Sequence, residues 1–311
     1  MVAYRELNRR GKLRERVETA LSLLVSCSVC PHSCCVNRLA GDIGRCRTSR
    51  QAIVSSYGAH LDEEAPLVGK HGSGTIFFAN CNLGCLFCQN YSISQLGEGH
   101  QVDKEELAYI MLSLQEEGCH NINLVSPTHV VPQILEALEL AVESGLKLPL
   151  VYNSGGYDSV ETLKLLDGIV DIYMPDMKYD NEETARELSG ISDYPGTNKA
   201  AVKEMHRQTG DLEMDKEGVA QRGLLIRHLV LPHGLAGTKT ITRFISDEIS
   251  RNTYVNVMAQ YRPCYRAVQT PGLGRRVSSA EFHEALSFAQ EAGLKRLDRA
   301  HPRELLPALS E

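Results

Sequence analysis

The chain has 311 residues, enough for one large α/β barrel or for two smaller domains. Charged residues make up 23% of it and hydrophobic residues 42%, proportions that exclude a disordered chain and a protein built of membrane-spanning segments. The net charge of −6 provides no overall basic field, so the composition argues against a nucleic-acid partner.

The N-terminal segment predicts one amphipathic helix over about residues 5–25. It has neither the apolar core nor the cleavage site of a signal peptide, and its longest apolar run, residues 20–25, is too short to cross a bilayer. We therefore expect a cytoplasmic protein with no membrane partner. Ten cysteines in that compartment predict metal ligands or reactive thiols rather than disulfides.

A first cysteine group follows this helix with the spacing C-x2-C-x3-C-x11-C. Its members are Cys27, Cys30, Cys34 and Cys46. Short turns containing glycine separate them, as in small segments that fold around a metal. Four thiolates can complete a site for structural zinc or for an additional [4Fe-4S] cluster, and the spacing does not separate the two. We assign residues 1–70 to an N-terminal extension that carries this second metal site.

Residues 71–296 predict a repeating β/α unit, and residues 297–311 a C-terminal tail. Six apolar runs of β type are each followed by a segment with helical spacing, and they cover residues 75–79, 122–125, 148–152, 169–174, 224–231 and 254–258. Such runs indicate a parallel sheet buried on both faces, either a partial barrel or a doubly wound sheet. We expect a loop or small hairpin within residues 193–221. Capping boxes are predicted at Asp103 with Glu106, Asp158 with Glu161 and Ser278 with Glu281.

A second cysteine group, with the spacing C-x3-C-x2-C, follows the first β-run and consists of Cys81, Cys85 and Cys88. Three thiolates on one short loop can converge on a metal centre and leave a coordination position open for a substrate or cofactor. The open position favours an enzyme. The alternatives are a zinc site, and a non-catalytic iron-sulfur or zinc protein that serves electron transfer or partner binding.

Polar residues stand where the β-runs end, which in parallel α/β folds is the edge that carries the chemistry. They include Asn80, residues 126–129, residues 153–156, Asp176, Lys178, His233 and residues 260–262. Alternation along the fourth run places Asp176 and Lys178 on one side, where the ammonium group could bind a carboxylate. Beyond the sixth run, Cys264 is a further candidate for the site, whereas Cys119 is expected to pack as a small hydrophobic residue.

The three-cysteine motif, with the aromatic Phe87 before its last cysteine, resembles the signature of the radical S-adenosylmethionine (SAM) enzymes. In that family the cysteines bind three irons of a [4Fe-4S] cluster, and the amino and carboxylate groups of SAM chelate the fourth. The resemblance implies an α/β fold of the partial TIM barrel type, (βα)6. It also implies anaerobic reductive cleavage of SAM to a 5′-deoxyadenosyl radical that abstracts hydrogen, with reduced ferredoxin or flavodoxin as the electron donor.

Further segments are similar to a group of iron-sulfur proteins related to pyruvate formate-lyase activating enzyme: residues 30–38, 41–46, 79–90, 125–129, 152–157 and the Asp-Met-Lys of residues 176–178. This likeness implies activation of a glycyl radical enzyme or of another protein substrate. Ser126-Pro127-Thr128 replaces the Gly-Gly-Glu that holds the methionine amine in those activases. The residues that the resemblance and the strand ends assign to cofactor binding are Phe87, Ser126, Thr128, Asn153, Ser154, Asp176, Lys178 and Gln260.

Overall fold

A computed structural model describes residues 2–298 of the chain. Its strands are β1 Ala52–His60, β2 Ser73–Phe78, β3 His100–Val102, β4 Ile122–Val125, β5 Leu150–Ser154, β6 Ile172–Pro175, β7 Glu213–Met214, β8 Ala220–Leu229, β9 Tyr254–Met258 and β10 Arg296–Leu297. Its α-helices are α1 Ala3–Arg9, α2 Lys12–Ser22, α3 Ala65–Val68, α4 Tyr91–Ser94, α5 Lys104–Glu116, α6 Val131–Glu143, α7 Val160–Leu165, α8 Glu182–Ser189, α9 Tyr194–Thr209, α10 Thr238–Phe244 and α11 Ser279–Glu291.

The strands form one sheet in the order β10-β9-β8-β6-β5-β4-β2-β1-β3, with β7 paired to β8. All six predicted runs are present as β2, β4, β5, β6, β8 and β9, and they pair in parallel. The α/β prediction with a largely parallel sheet is therefore confirmed. Two antiparallel strands, β1 and β3, extend the edge beside β2 and were not predicted. Much of β1 is exposed and reads as polar, so it has no continuous apolar run.

Alternate residues of the strands face opposite sides of the sheet. On β5, Leu150 and Tyr152 belong to the large core that the sheet shares with helices such as α5 and α6. Val151 belongs instead to a smaller cluster with Leu67 of α3 and inward-facing residues of β6 and β8. This cluster fills the inner side of the sheet and leaves the polar residues nearer the strand ends above it.

Two predictions about local structure are wrong and one is right only in part. The N-terminal helix is two helices, because Gly11 adopts a left-handed conformation (φ 71°) between α1 and α2. Within residues 193–221 the predicted small hairpin is present, since β7 pairs antiparallel with β8, but residues 194–209 form the helix α9, with Ala201, Val202 and Met205 buried. The polar exposed face of α9 concealed that narrow apolar stripe. Asp158 does not cap α7, since Ser159 does so through the amide of Thr162.

The N-terminal helices pack on the outside of the sheet's helical layer, where the Tyr4 hydroxyl donates to the carbonyl oxygen of Leu148 (2.7 Å). Capping by Asp103 and the full capping box of Ser278 with Glu281 are confirmed. No helix among residues 2–298 is sufficiently long and apolar to cross a membrane. Apart from its first two residues, the predicted C-terminal tail lies outside the described residues, and the division into domains stays a prediction.

Candidate functional site

The loop that carries the three cysteines follows β2 and is held by backbone hydrogen bonds to two other parts of the chain. Amide groups of Gly84 and Leu86 donate to the carbonyl oxygens of Ser189 (3.1 Å) and Leu188 (2.8 Å) at the end of α8. The amide of Ala267 in turn donates to the Leu86 carbonyl (3.0 Å). The positions of Cys81, Cys85 and Cys88 are thus determined by contacts far apart in sequence.

Each of the three sulfur atoms has a hydrogen-bonding neighbour. The Leu83 amide lies 3.4 Å from Cys81 Sγ, the Ser189 hydroxyl donates to Cys85 Sγ (3.0 Å), and the Ser94 hydroxyl lies 3.1 Å from Cys88 Sγ. Burial raises the pKa of Cys81 to about 12 and also raises that of Cys85. Such buried thiols become thiolates when a metal centre replaces their protons.

The spacing of these thiols suits a cluster better than a single ion. Among residues 2–298, no three His, Cys, Asp or Glu side chains are close enough together to hold one metal ion. A [4Fe-4S] cluster binds each thiolate through a different iron, so its ligands stand farther apart than those of zinc. Cys81, Cys85 and Cys88 nevertheless lie near enough to one another to interact electrostatically. The loop therefore fits the three-thiolate side of a [4Fe-4S] cluster.

Beside the cysteine loop, the end of β6 and the middle of β8 form a buried charge network. Asp176 accepts from Lys178 Nζ (2.5 Å) and from Arg227 Nε (2.9 Å), and Arg227 Nη2 donates to Asn153 Oδ1 (2.7 Å). Burial opposes ionisation of Asp176, but the charges of Arg227 and then Lys178 hold its pKa below the usual range. Likewise, burial opposes charge on Lys178, whereas Asp176 and Cys85 keep its pKa raised.

The loop after β5 is locked onto the end of β6. Gly156 has φ 76°, and a Cβ atom there would lie 2.1 Å from the carbonyl oxygen of Asp176. The Tyr194 hydroxyl accepts from the Lys178 amide (3.1 Å) and lies 2.9 Å from the Gly155 carbonyl oxygen. Asn198 Nδ2 donates to the carbonyl oxygens of Gly156 and Asp176, both at 2.9 Å. Glycine is required at 156 because the two strand ends approach so closely.

Two predicted cofactor contacts, Thr128 and Ser154, point instead to a buried carboxylate. Asp158 accepts from the hydroxyls of Thr128 (2.7 Å), Tyr152 (2.9 Å) and Ser154 (2.7 Å). Burial raises the pKa of Asp158, and the hydroxyl donors oppose that shift. Thr128 and Ser154 are themselves buried. Thr128 and Ser154 therefore donate their hydroxyl protons to Asp158. Their role in cofactor binding stays a prediction.

The remaining predicted residues differ in their surroundings. Phe87 is buried, with its ring against Tyr261 and Tyr179 at 5.9 and 6.4 Å between centroids. Ser126 has a left-handed backbone (φ 59°), and Gln260 is exposed, with Nε2 3.2 Å from the sulfur of Met258. Cys119 is buried in the main core, as expected of a small hydrophobic residue, and Cys264 is half-buried beside the cysteine loop.

The first cysteine group lies against the second. Cys27, Cys30 and Cys46 are buried and Cys34 is half-buried, and the charges of the other three members act on Cys30. Burial raises the pKa of the Cys30 thiol to about 12. Cys35 is exposed, and its Sγ donates to the Ser33 carbonyl oxygen (3.2 Å).

Sequence reasoning missed several residues of this region: Arg38, Glu63, Glu64, Asp158, Ser189, Tyr194 and Arg227. Arg227 had a visible signal, because it sits in an apolar run at the inward position between Leu225 and Leu229. The others gave no such signal; Ser189, for example, acquires its role only from Cys85, 104 residues away in sequence.

Comparisons with known proteins agree with this geometry. A protein-family model described as the radical SAM superfamily matches residues 75–211. Over 289 residues the chain is 35% identical to the uncharacterized protein MJ0674 of Methanocaldococcus jannaschii, covering 90% of this chain and 78% of that protein.

Among solved structures, a radical SAM methyltransferase from Sphaerobacter thermophilus is similar with a TM-score of 0.52 and 16% identity, over 76% of this chain and 68% of that one. HydG, a maturase of the [FeFe]-hydrogenase, has a TM-score of 0.49 and 14% identity, over 74% of this chain and 52% of its own. The likeness to the methyltransferase concerns the fold.

Proposed function

Because the chain belongs to the radical SAM superfamily, we propose that it cleaves S-adenosylmethionine reductively and uses the product radical to abstract hydrogen from a substrate. Cys81, Cys85 and Cys88 would hold the [4Fe-4S] cluster. The chemistry that cluster and SAM supply when bound is one-electron cleavage of a carbon-sulfur bond, which yields methionine and a 5′-deoxyadenosyl radical. The observation that carries the proposal is the group of three hydrogen-bonded thiols, one buried and two half-buried, beside the Lys178–Asp176 pair.

Lys178 and Asp176 are the groups best placed to bind SAM. Their side chains are 16% and 15% exposed, so they line space that a ligand can reach although they lie inside the fold. The Lys178 ammonium has donors to spare for a carboxylate, and Asp176 has acceptor positions for an amino group. Arg227 keeps Asp176 ionised and in place. The buried rings of Phe87 and Tyr179 pack in the same hydrophobic cluster as Cys85.

For the finer assignment, we infer that the substrate is the glycine backbone of a partner enzyme, as in glycyl-radical activation. The Asp-Met-Lys segment, residues 176–178, supports this assignment through its resemblance to the activases. A small molecule is the other substrate class, and reduced ferredoxin or flavodoxin is the proposed electron donor. Electron paramagnetic resonance (EPR) of an anaerobic mixture of this protein, SAM, dithionite and a purified glycyl radical enzyme would show the glycyl radical directly.

The first cysteine group is proposed to hold a second metal centre, zinc or iron-sulfur. Its four thiols lie together, three of them buried, which supports a complete four-ligand site. We place the protein in the cytoplasm, where ten cysteines not joined as disulfides are compatible with the reducing environment.

Uncoupled turnover tests the enzymatic assignment. The anaerobically reconstituted protein with dithionite should convert SAM slowly to equal amounts of methionine and 5′-deoxyadenosine without substrate. Cys85→Ala should abolish both products. Cys119→Ala, which changes a cysteine of the hydrophobic core, should not. A protein with a full [4Fe-4S] complement that binds SAM but never yields 5′-deoxyadenosine would instead support a non-catalytic electron-transfer protein.

A further inference from the structure

A buried arginine, Arg38, lies beside Cys27 of the first cysteine group and has no acidic partner among residues 2–298. Arg38 is 1% exposed; its Nε donates to the Ser49 carbonyl (3.0 Å) and its Nη1 to the His129 carbonyl (2.8 Å). Its Nη1 also lies 3.8 Å from Cys27 Sγ, while Nη2 has no hydrogen-bond partner. Within residues 2–298 no carboxylate pairs with this guanidinium, whereas the half-buried Arg227 has one in Asp176.

A buried cation without a counter-charge is strongly unfavourable. Apart from the two carbonyl oxygens, the groups near Arg38 that can carry negative charge are sulfur atoms: Cys27 Sγ lies 3.8 Å away, and the charge of Arg38 also acts on Cys46. Neutral thiols would leave the guanidinium uncompensated. Four thiolates around either zinc or a [4Fe-4S] core carry a net negative charge, which would balance it. The position of Arg38 therefore indicates that the cysteines are metal ligands.

The geometry expected for a single metal ion favours one of the two centres over the other. Structural zinc holds its sulfurs about 2.3 Å away in a tetrahedron, so four ligands must be nearly in contact. No three ligand side chains in the described part of the chain approach one another in that way. The cysteines of the loop after β2 likewise form no such single-ion group, and the family of this chain binds a [4Fe-4S] cluster with them. The absence of a single-ion arrangement in the first group as well favours the same kind of centre there.

The first group also adjoins the second through direct contacts. His32, two residues after Cys30, lies with Nε2 2.7 Å from the carbonyl oxygen of Asn82. Arg45, next to Cys46, donates from Nη2 to the Gly190 carbonyl (3.3 Å), beside the residue that holds Gly84. Residues near both ends of the first cysteine group thus contact the loop of the second group or the residues that support it.

We propose that Cys27, Cys30, Cys34 and Cys46 bind a second [4Fe-4S] cluster, with Arg38 as its buried counter-charge, beside the loop of Cys81, Cys85 and Cys88. This narrows the metal site of the proposed function and does not depend on SAM cleavage.

Metal analysis of the full chain, reconstituted anaerobically with iron and sulfide, tests the proposal. The wild type should contain about eight iron atoms and the variant with Cys81, Cys85 and Cys88 changed to Ala about four. After reduction with dithionite, that variant should keep an iron-sulfur EPR signal that SAM does not alter. Cys30→Ala should also keep about four irons, but with a signal that SAM does alter. Cys35→Ala, the matched control on the adjacent exposed cysteine, should match the wild type.

About one zinc without iron in the triple variant would overturn the cluster, and a folded triple variant with neither metal would overturn any metal there. Absence of 5′-deoxyadenosine in the wild type would count against the enzyme but not against this second cluster, because the triple variant reports on it alone. The triple variant that retains iron also tests Arg38. Removing its charge by Arg38→Gln should lower the cluster's reduction potential. Arg38→Lys, which keeps the charge, should lower the potential less, and Arg50→Gln should leave the potential unchanged. Equal potentials in all three would show that Arg38 is not the counter-charge.

Discussion

His32 Nε2 lies 2.7 Å from the carbonyl oxygen of Asn82, which joins the first cysteine group to the loop of the second. The His32 ring also packs against Tyr157, with 5.3 Å between centroids, and the Asn82 side chain donates to the Tyr157 carbonyl (2.7 Å). Burial lowers the pKa of His32, so the neutral imidazole donates through Nε2. The first cysteine group, through His32, therefore contacts the loop of the second group directly.

Replacing His32 by Ala should loosen the loop and speed loss of its iron. A hydrogen bond of this type contributes about 0.5 to 1.5 kcal/mol, so we expect roughly two- to ten-fold faster iron release. Release to a chelator under argon measures it, with the SAM-sensitive EPR signal identifying the loop cluster. His206→Ala, which removes a contact with Asp211 away from the cysteines, is the control. Equal release rates in the two variants would contradict the role of His32.

Lys178→Ala should weaken SAM binding without loss of the cluster. A charge-assisted contact to a carboxylate is worth about 1.5 to 3 kcal/mol, which corresponds to roughly ten- to a hundred-fold in affinity. Calorimetry under argon measures the change, and Lys164→Ala, on an exposed lysine paired with Glu161, serves as control. Wild-type affinity in Lys178→Ala would place the SAM carboxylate elsewhere, with Arg262 the next candidate.

Arg227→Met should destabilise the fold strongly. Asp176 would lose one of its two cations and the nearby buried Glu64 would lose its cationic neighbour (3.9 Å), which predicts a loss of about 3 to 5 kcal/mol in the free energy of unfolding. Anaerobic guanidinium denaturation measures it. Arg186→Met, which breaks an exposed pair with Glu183, should cost no more than about 1 kcal/mol. If Arg227→Met lowered the free energy of unfolding no more than Arg186→Met does, the network around Asp176 would not be needed for stability.

Glu63→Gln should change how stability depends on pH. Burial, and then the charge of Glu64, raise the pKa of Glu63 from 4.5 to about 7. Between these values the native state keeps a proton that the unfolded chain releases, so stability falls as pH rises from 4.5 to 7 and is constant above. Over this pH range the free energy of unfolding should fall by a total on the order of 3 kcal/mol.

Denaturation midpoints at several pH values test this prediction, because the difference between wild type and Glu63→Gln cancels effects of pH on the cluster. The variant should lose the slope below pH 7 and be the more stable protein above it. Glu98→Gln, on an exposed residue, should keep the wild-type slope. Parallel curves for Glu63→Gln and wild type would refute the raised pKa.

Much of the architecture was predictable, because strands buried on both faces need continuous apolar runs. All six such runs became parallel strands. Elements with one exposed face were harder, as β1 and α9 show, since their apolar residues are few and widely spaced. The break at Gly11 depends on one backbone conformation within an otherwise helical pattern.

The sequence by itself determined that Cys81, Cys85 and Cys88 lie together, because C-x3-C-x2-C places all three on one short loop. It also determined that Asp176 and Lys178 share one side of a strand. Only the tertiary structure decided which buried charges have partners: Arg227 meets Asp176 across 51 residues, and Arg38 reaches the His129 carbonyl across 91. A buried charge must be balanced wherever the fold brings a partner to it, and no local pattern records that partner.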